Sequence, residues 1–297
     1  MRQMIMLCLA VCLMTGLGGD ARANGGEMAV EVEMEMEMSS SPEAVLNKYI
    51  KKLYRQIDFN RKNKLSYDIF EKAYRGYVNL REAGELSSDK EILTVCDFTQ
   101  SSNNNRMWII DLKARKILFN TYVAHGANTG EEFARKFSNN FESHQSSLGF
   151  YVTGDTYVGQ HGNSLHLHGK DQGFNHNAYD RAIVVHGADY VNKKFIAGNE
   201  RLGRSWGCPA VSNELAQPII NTIKDGTCLF IYYPQKDYMK SAYWMNKKIT
   251  EVPQCVTEDM SQLLAANGKT GKRHTGPIKI EYDKSMIPKD FYMVLPL

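Results

Sequence analysis

Two segments near the start of the chain carry apolar residues at helical spacing. In the first, Val45, Leu46, Tyr49, Ile50, Leu53, Tyr54 and Ile57 fall on one face. Ser41-Pro42 predicts its start, because serine caps free amides and proline fits the first helical position. A second helix is predicted from Ser66, with Ile69, Phe70, Ala73, Tyr74, Tyr77 and Val78 inward and a stop at Gly84. Tyrosines at this spacing read as core rather than as a glycan platform. From Ile92 the period becomes that of strands: Ile92–Phe98, Met107–Leu112, Ile117–Val123 and Leu148–Val152 are short, β-branched or aromatic, and separated by turn residues. Ala182–Val185 reads as a buried strand ending at His186-Gly187. Cys228–Tyr233 reads as another, reached by a helix carrying Leu215, Ile219, Ile220 and Ile223 whose regular part is expected to start at Pro218. Beyond Pro234, the region 236–267 looks partly helical, and Ile278–Tyr282 and Phe291–Leu295 are candidate late strands. The pattern predicts a mainly β domain with added α-helices and an N-terminal helical pair, α+β overall.

The first residues add a destination. Arg2, the apolar run Ile5–Leu17 and Ala21-Arg22-Ala23 form a charged start, a short apolar core and a small-x-small cleavage site. Residues 1–23 are therefore expected to be a secretory signal peptide, with an exported protein in the periplasm or cell envelope. No stretch is long enough for a transmembrane segment. Residues 24–41 hold five glutamates in alternation with apolar residues, and low complexity with like charge predicts an acidic linker. Residues 42–297 then sum to +7 within a chain of net charge +3. A basic body suits an anionic partner and equally serves solubility.

Candidate chemistry concentrates between His186 and Val211. Gly207 permits a backbone angle other residues resist, and Pro209 pushes Cys208 towards an extended conformation. A thiol on a rigid turn with a histidine at a neighbouring strand end is how a cysteine nucleophile is built. A buried cysteine beside a satisfied histidine has the same residue types, so the residues alone leave both readings open. Four cysteines follow the expected signal (Cys96, Cys208, Cys228 and Cys255), and with Cys208 free at most one disulfide forms within the chain. His166-Leu167-His168 places two rings on one strand face at a metal-ligand spacing, but a third ligand is undefined.

Gly203-Arg204-Ser205-Trp206-Gly207-Cys208-Pro209-Ala210, preceded by the strand-end His186-Gly187, resembles the catalytic segment of the YkuD-like L,D-transpeptidases. It is most similar to the murein L,D-transpeptidase catalytic-domain subgroup. Val123-Ala124-His125-Gly126, Phe137-Ser138-Asn139, Ser146-Ser147-Leu148-Gly149-Phe150 and Gly162-Asn163-Ser164-Leu165 resemble it too. The resemblance implies a β-sandwich or barrel catalytic domain at 91–235, after a helical segment at 42–90 and before a C-terminal extension, 236–297, packed on it. It implies a cysteine acyltransferase acting on peptidoglycan stem peptides. Cys208 would be nucleophile and His186 base, with the Gly187 carbonyl, or more weakly Asp189, orienting the imidazole. Gly207, Ser205 and Trp206 would support the turn and the oxyanion. Arg204, Arg201, His168 and His166 are weaker substrate-binding candidates. Trp206 stands where the broader family has histidine; indole is no base, so it is expected to pack beneath the turn. No cofactor, metal or nucleic-acid partner is expected, and a monomer is. The alternatives are an L,D-carboxypeptidase or amidase-type murein hydrolase using the same dyad, a zinc murein endopeptidase, and a non-catalytic peptidoglycan-binding protein.

Overall fold

The computed structural model describes residues 41–59 and 63–261. The expected signal peptide, nearly all of the acidic linker and the two late strands lie outside these residues. The first helix, α1 (Pro42–Gln56), buries Val45, Leu46, Tyr49, Ile50, Leu53 and Tyr54, the face its spacing predicts. The second, α2 (Tyr67–Glu82), is capped by Ser66, whose hydroxyl accepts the Ile69 N–H. It ends as Gly84 turns left-handed at φ 71°.

Eight strands follow: β1 (Ile92–Asp97), β2 (Met107–Asp111), β3 (Lys116–Thr121), β4 (Gly149–Gly159), β5 (Gly162–Gly169), β6 (Val184–Ala188), β7 (Ala210–Ser212) and β8 (Cys228–Tyr232). They form one mixed sheet in the order β3-β2-β1-β8-β4-β5-β6-β7. The pairs β1–β8 and β6–β7 are parallel and the others antiparallel. Just past β3, Ala124 donates its N–H to the Ala210 carbonyl of β7 at 2.8 Å, so the two edges meet and the sheet nearly closes as a barrel. This is the β-rich fold with added helices that the sequence predicts.

Three elements differ from the sequence reading. β6 starts at Val184 and runs on to Ala188, so His186 sits in mid-strand rather than at a strand end, because its pairing with β7 continues the ladder past it. β4 runs seven residues beyond Val152, its outer part passing from buried to half-buried and exposed positions as it leaves the core. Its polar and glycine residues hide that extension. The helix α4 (Asn213–Ile223) contains Pro218 instead of starting there. Proline at mid-helix removes one intrahelical bond, and burial of Ile219, Ile220 and Ile223 offsets that. A short helix, α3 (Lys193–Asn199), lies between β6 and β7. After β8 come α5 (Lys236–Ser241) and α6 (Tyr243–Asn246), then helical residues 254–261.

The two N-terminal helices share one apolar cluster with the sheet. At its centre Phe150 of β4 stacks on Phe230 of β8, with ring centroids 4.1 Å apart. Gly76 of α2 lies over this pair, where a Cβ would collide with the Phe150 ring. That close approach positions the helix across the strands.

Candidate active site

The Cys motif bridges the end of the barrel seam. Ser205 donates its N–H to the His125 carbonyl at 3.0 Å, and Ala127 donates to the Ser205 carbonyl at 2.7 Å. The Ser205 hydroxyl then donates to the Cys208 carbonyl at 2.6 Å and accepts the Gly207 N–H at 3.1 Å, closing the turn from inside. Gly207 sits at φ 126°, and a Cβ there would meet the Gln145 carbonyl at 2.8 Å, so only glycine fits. Ser146, fully buried, donates to the Gly207 carbonyl at 3.0 Å and accepts the Gly126 N–H at 3.0 Å.

Strand register sets the rest. His186 of β6 pairs with Ala210 of the parallel strand β7, and Cys208 stands in the turn two residues before that strand begins. His186 is buried, and its Nδ1 lies 2.9 Å from the Gly187 carbonyl. A carbonyl only accepts, so Nδ1 carries a proton and Nε2 keeps its lone pair. Burial, with His161 nearby, lowers the His186 pKa below the ordinary imidazole value, against the opposing hydrogen bond to Gly187. The imidazole is thus held neutral.

The partly buried Cys208 thiol touches the start of β6. Sγ accepts the Val184 N–H at 3.4 Å and lies 3.6 Å from the Ala182 carbonyl. Among the described residues no hydrogen bond joins it to His186, two positions further along the same strand. Burial raises the thiol pKa, while the Val184 N–H and the Arg181 guanidinium pull it down. Arg181 also donates to the Ser138 carbonyl, the Ser147 hydroxyl, the Ser143 hydroxyl and the Gln145 carbonyl, at 2.5 to 3.0 Å. Sequence reasoning missed this cation. Its sole signal is its place just ahead of the strand that carries His186.

Trp206 departs from expectation. It is 74% exposed and stacks on His144 at 4.8 Å. The turn is locked from within by Ser205 and Ser146, so position 206 is left to face outward. There it lines a cleft of about 510 Å³ with Phe141, Glu142, His144, Asp180 and Arg181. Arg201 and Arg204 both engage Glu131, at 2.9 Å and 2.6 Å, which directs their donors to the protein's own carboxylate. Asp189 receives an Asn213 amide at 3.4 Å and is not the partner of His186 Nδ1. His125 is buried with Nδ1 accepting from Arg106 at 2.7 Å; burial, then Arg106, lowers its pKa to about 3, a neutral structural role.

His166 and His168 share one face of β5, with Leu165 and Leu167 buried on the other. His166 Nδ1 lies 2.9 Å from the Asp155 carboxylate. Among the described residues no group of three or more His, Cys, Asp or Glu side chains is placed to hold a metal ion. The described cysteines, Cys96, Cys208, Cys228 and Cys255, are all free. No described helix is long and apolar enough to cross a membrane.

A cysteine on a glycine-proline turn and a buried histidine on the strand it touches, at the seam of a mixed barrel, define the class of site. The model of the L,D-transpeptidase catalytic domain matches residues 61–232, more than half of the chain. The protein belongs to the L,D-transpeptidase catalytic-domain family. Solved structures similar to it include an L,D-transpeptidase from Mycobacterium smegmatis, at 12% identity and TM-score 0.31 over 48% of this chain and 59% of that one. Another is an L,D-transpeptidase from Xylanimonas cellulosilytica, at 12% identity and TM-score 0.30 over 62% and 90% of the two chains. A third is the helical cell shape determining protein of Campylobacter jejuni, at 15% identity and TM-score 0.31 over 68% and 64%. The chain thus spans about 59% of the length of the Mycobacterium smegmatis protein. Among curated proteins there is no match.

Proposed function

We propose that this protein is an exported, cysteine-dependent L,D-transpeptidase that acts on peptidoglycan stem tetrapeptides through a thioester on Cys208. The observation that supports the reading is that the Cys208 thiol lies on the Val184 N–H, two residues before His186 on β6, whose Nδ1 is committed to the Gly187 carbonyl. Nε2 is then the atom free to take the thiol proton.

In this mechanism Sγ turns from the Ala182 carbonyl towards His186 when substrate enters, and such hydrogen bonds commonly tighten only in the complex. Nε2 accepts the proton as Sγ attacks the amide carbonyl next to the terminal D-Ala. Pro209 has no N–H and the Gly207 N–H is held by Ser205, so the oxyanion draws on the N–H groups of Cys208 and Trp206. The C–N bond breaks, His186 returns the proton to the leaving amine, and D-Ala departs. An acceptor amine on another stem attacks the thioester, gives its proton to His186, and the thiol is regenerated. Ser205 acts by holding the turn. The cleft walled by Trp206, Phe141 and Arg181 also takes in Ala182, whose carbonyl is 3.6 Å from Sγ.

The test is intact-protein mass spectrometry during incubation with a disaccharide tetrapeptide. The expected result is an adduct on Cys208 equal to the donor less D-Ala, with D-Ala released. Folded Cys208→Ala and His186→Ala should each lose at least about a hundredfold in turnover. Full turnover by Cys208→Ala would overturn the mechanism. Release of disaccharide tripeptide with added acceptor left unused would point to hydrolysis by the same dyad.

A further inference from the structure

Tyr157, His166, Tyr179 and His168 form a row of rings on the outer face of the β4–β5 hairpin. Tyr157 stacks on His166 at 4.5 Å and 14°, His166 meets Tyr179 at 5.2 Å, and Tyr179 stacks on His168 at 4.9 Å and 10°. Tyr157 and Tyr179 are 37% and 49% exposed, so the row is not part of the core, which Leu165 and Leu167 serve from the opposite face. Along its edge stand polar groups: the imidazole nitrogens, the phenol hydroxyls and the exposed Asp155 carboxylate bound to His166.

The row adjoins the candidate active site. His166 pairs with Val184, whose N–H holds the Cys208 thiol, and directly paired residues share a face. Tyr179 lies three residues before Ala182, whose carbonyl is 3.6 Å from Sγ. Val184 and His186 are two apart on β6 and share a face, so the rings and His186 lie on one side of the sheet.

Flat, half-exposed rings with hydrogen-bonding rims match a ligand that has apolar faces and polar edges. Pyranose rings are such a ligand, with C–H groups on the face and hydroxyl or acetamido groups around it. Nucleic-acid bases also stack on aromatic rows, but they come with a polyanionic backbone that needs a basic groove. Here the rim carries a carboxylate. Charge therefore selects the saccharide.

We propose that the row Tyr157–His166–Tyr179–His168 is a saccharide platform that holds the amino-sugar chain of a muropeptide while its stem peptide reaches Cys208. The proposal rests on the peptidoglycan reading above and goes beyond it by placing the glycan. It makes the enzyme one that recognises stems still attached to sugar.

The experiment compares two donors with the same stem, a disaccharide tetrapeptide and the free tetrapeptide. The proteins are wild type and the double variant Tyr157→Ala/Tyr179→Ala, whose partly exposed rings leave the core intact. Wild type should favour the sugar-bearing donor by about tenfold in kcat/KM, and the double variant should bring that ratio close to one. In parallel, β-1,4-linked N-acetylglucosamine oligomers are titrated into full-length Cys208→Ala with and without the two tyrosine changes. Binding that disappears with the tyrosines supports the platform. Equal use of both donors by wild type, or oligomer binding unchanged by the tyrosine changes, would overturn it. Should neither donor react, the peptidoglycan reading fails, and the oligomer titration alone decides the platform: no binding to the tyrosine-bearing protein sinks it.

Discussion

In the resting protein the Cys208 thiol contacts the Val184 N–H and the Ala182 carbonyl and feels the charge of Arg181, and these set its reactivity. Burial dominates and holds the thiol protonated, while the Val184 N–H and Arg181 oppose it. The sign is direct: removing the guanidinium withdraws a stabiliser of thiolate, so the thiol pKa should rise further. Alkylation of the Cys208 peptide by iodoacetamide, followed by mass spectrometry against pH, should therefore have its midpoint above the ordinary thiol range in wild type. It should move higher still in Arg181→Met. Arg181→Lys keeps the charge and should stay near wild type. An unmoved midpoint in folded Arg181→Met would show that the cation serves only to tie residues 138–147 together. Trp206 belongs at this scale too. Its neighbours in sequence are locked by Ser205 and Ser146, so the indole is free to wall the cleft.

Among the elements, α2 shows how a helix can lie flat on a sheet. Gly76 faces the Phe150 ring, which is backed by Phe230 at 4.1 Å and cannot retreat. Two effects compete in Gly76→Ala. Helix propensity favours alanine by about 1 kcal/mol, whereas forcing a methyl into a packed core costs about 1–3 kcal/mol. The collision is with the tip of a fully buried ring, at Cζ and Cε1, so overpacking should win and the variant should unfold at a lower denaturant concentration. A midpoint at or above wild type would mean that the helix shifts outward at little cost. The β4–β5 hairpin is the opposite case. Its inner half is core and its outer half carries the ring row into solvent.

For the molecule as a whole, Asp171 links the sheet to the C-terminal helices. Its Oδ2 accepts the Phe150 N–H at 2.7 Å and the Tyr238 hydroxyl of α5 at 3.0 Å, while its buried Oδ1 has no hydrogen-bond partner. Burial raises its pKa to about 6, against the pull of those two donors. A folded pKa above the unfolded value of 3.8 means that the folded state binds the extra proton in this window. Stability from this group is therefore lost as pH rises from about 4 through about 6. Asp171→Asn keeps the acceptor and cannot ionise, so it should gain on wild type by on the order of 3 kcal/mol across that window. Denaturant melts at a series of pH values measure this. Parallel curves for the two proteins would show that the carboxylate is hydrated in the folded state.

The sequence by itself determined the helices, most strands and the identity of the motif. Repeating apolar positions and the residues Ser66, Gly84 and Gly207 act locally, through spacing and backbone freedom. Residues 205–208 announced a thiol on a rigid turn for the same reason. Sequence did not reveal that the indole of Trp206 faces solvent, that Arg181 stands by the thiol, or that Arg201 and Arg204 are drawn to Glu131. Nor did it show that four rings from β4, β5 and the segment before β6 form one row. Each of those depends on which strands become neighbours and on which donor reaches a charge first. Such contacts join residues far apart in the chain, and only closure of the barrel brings them together.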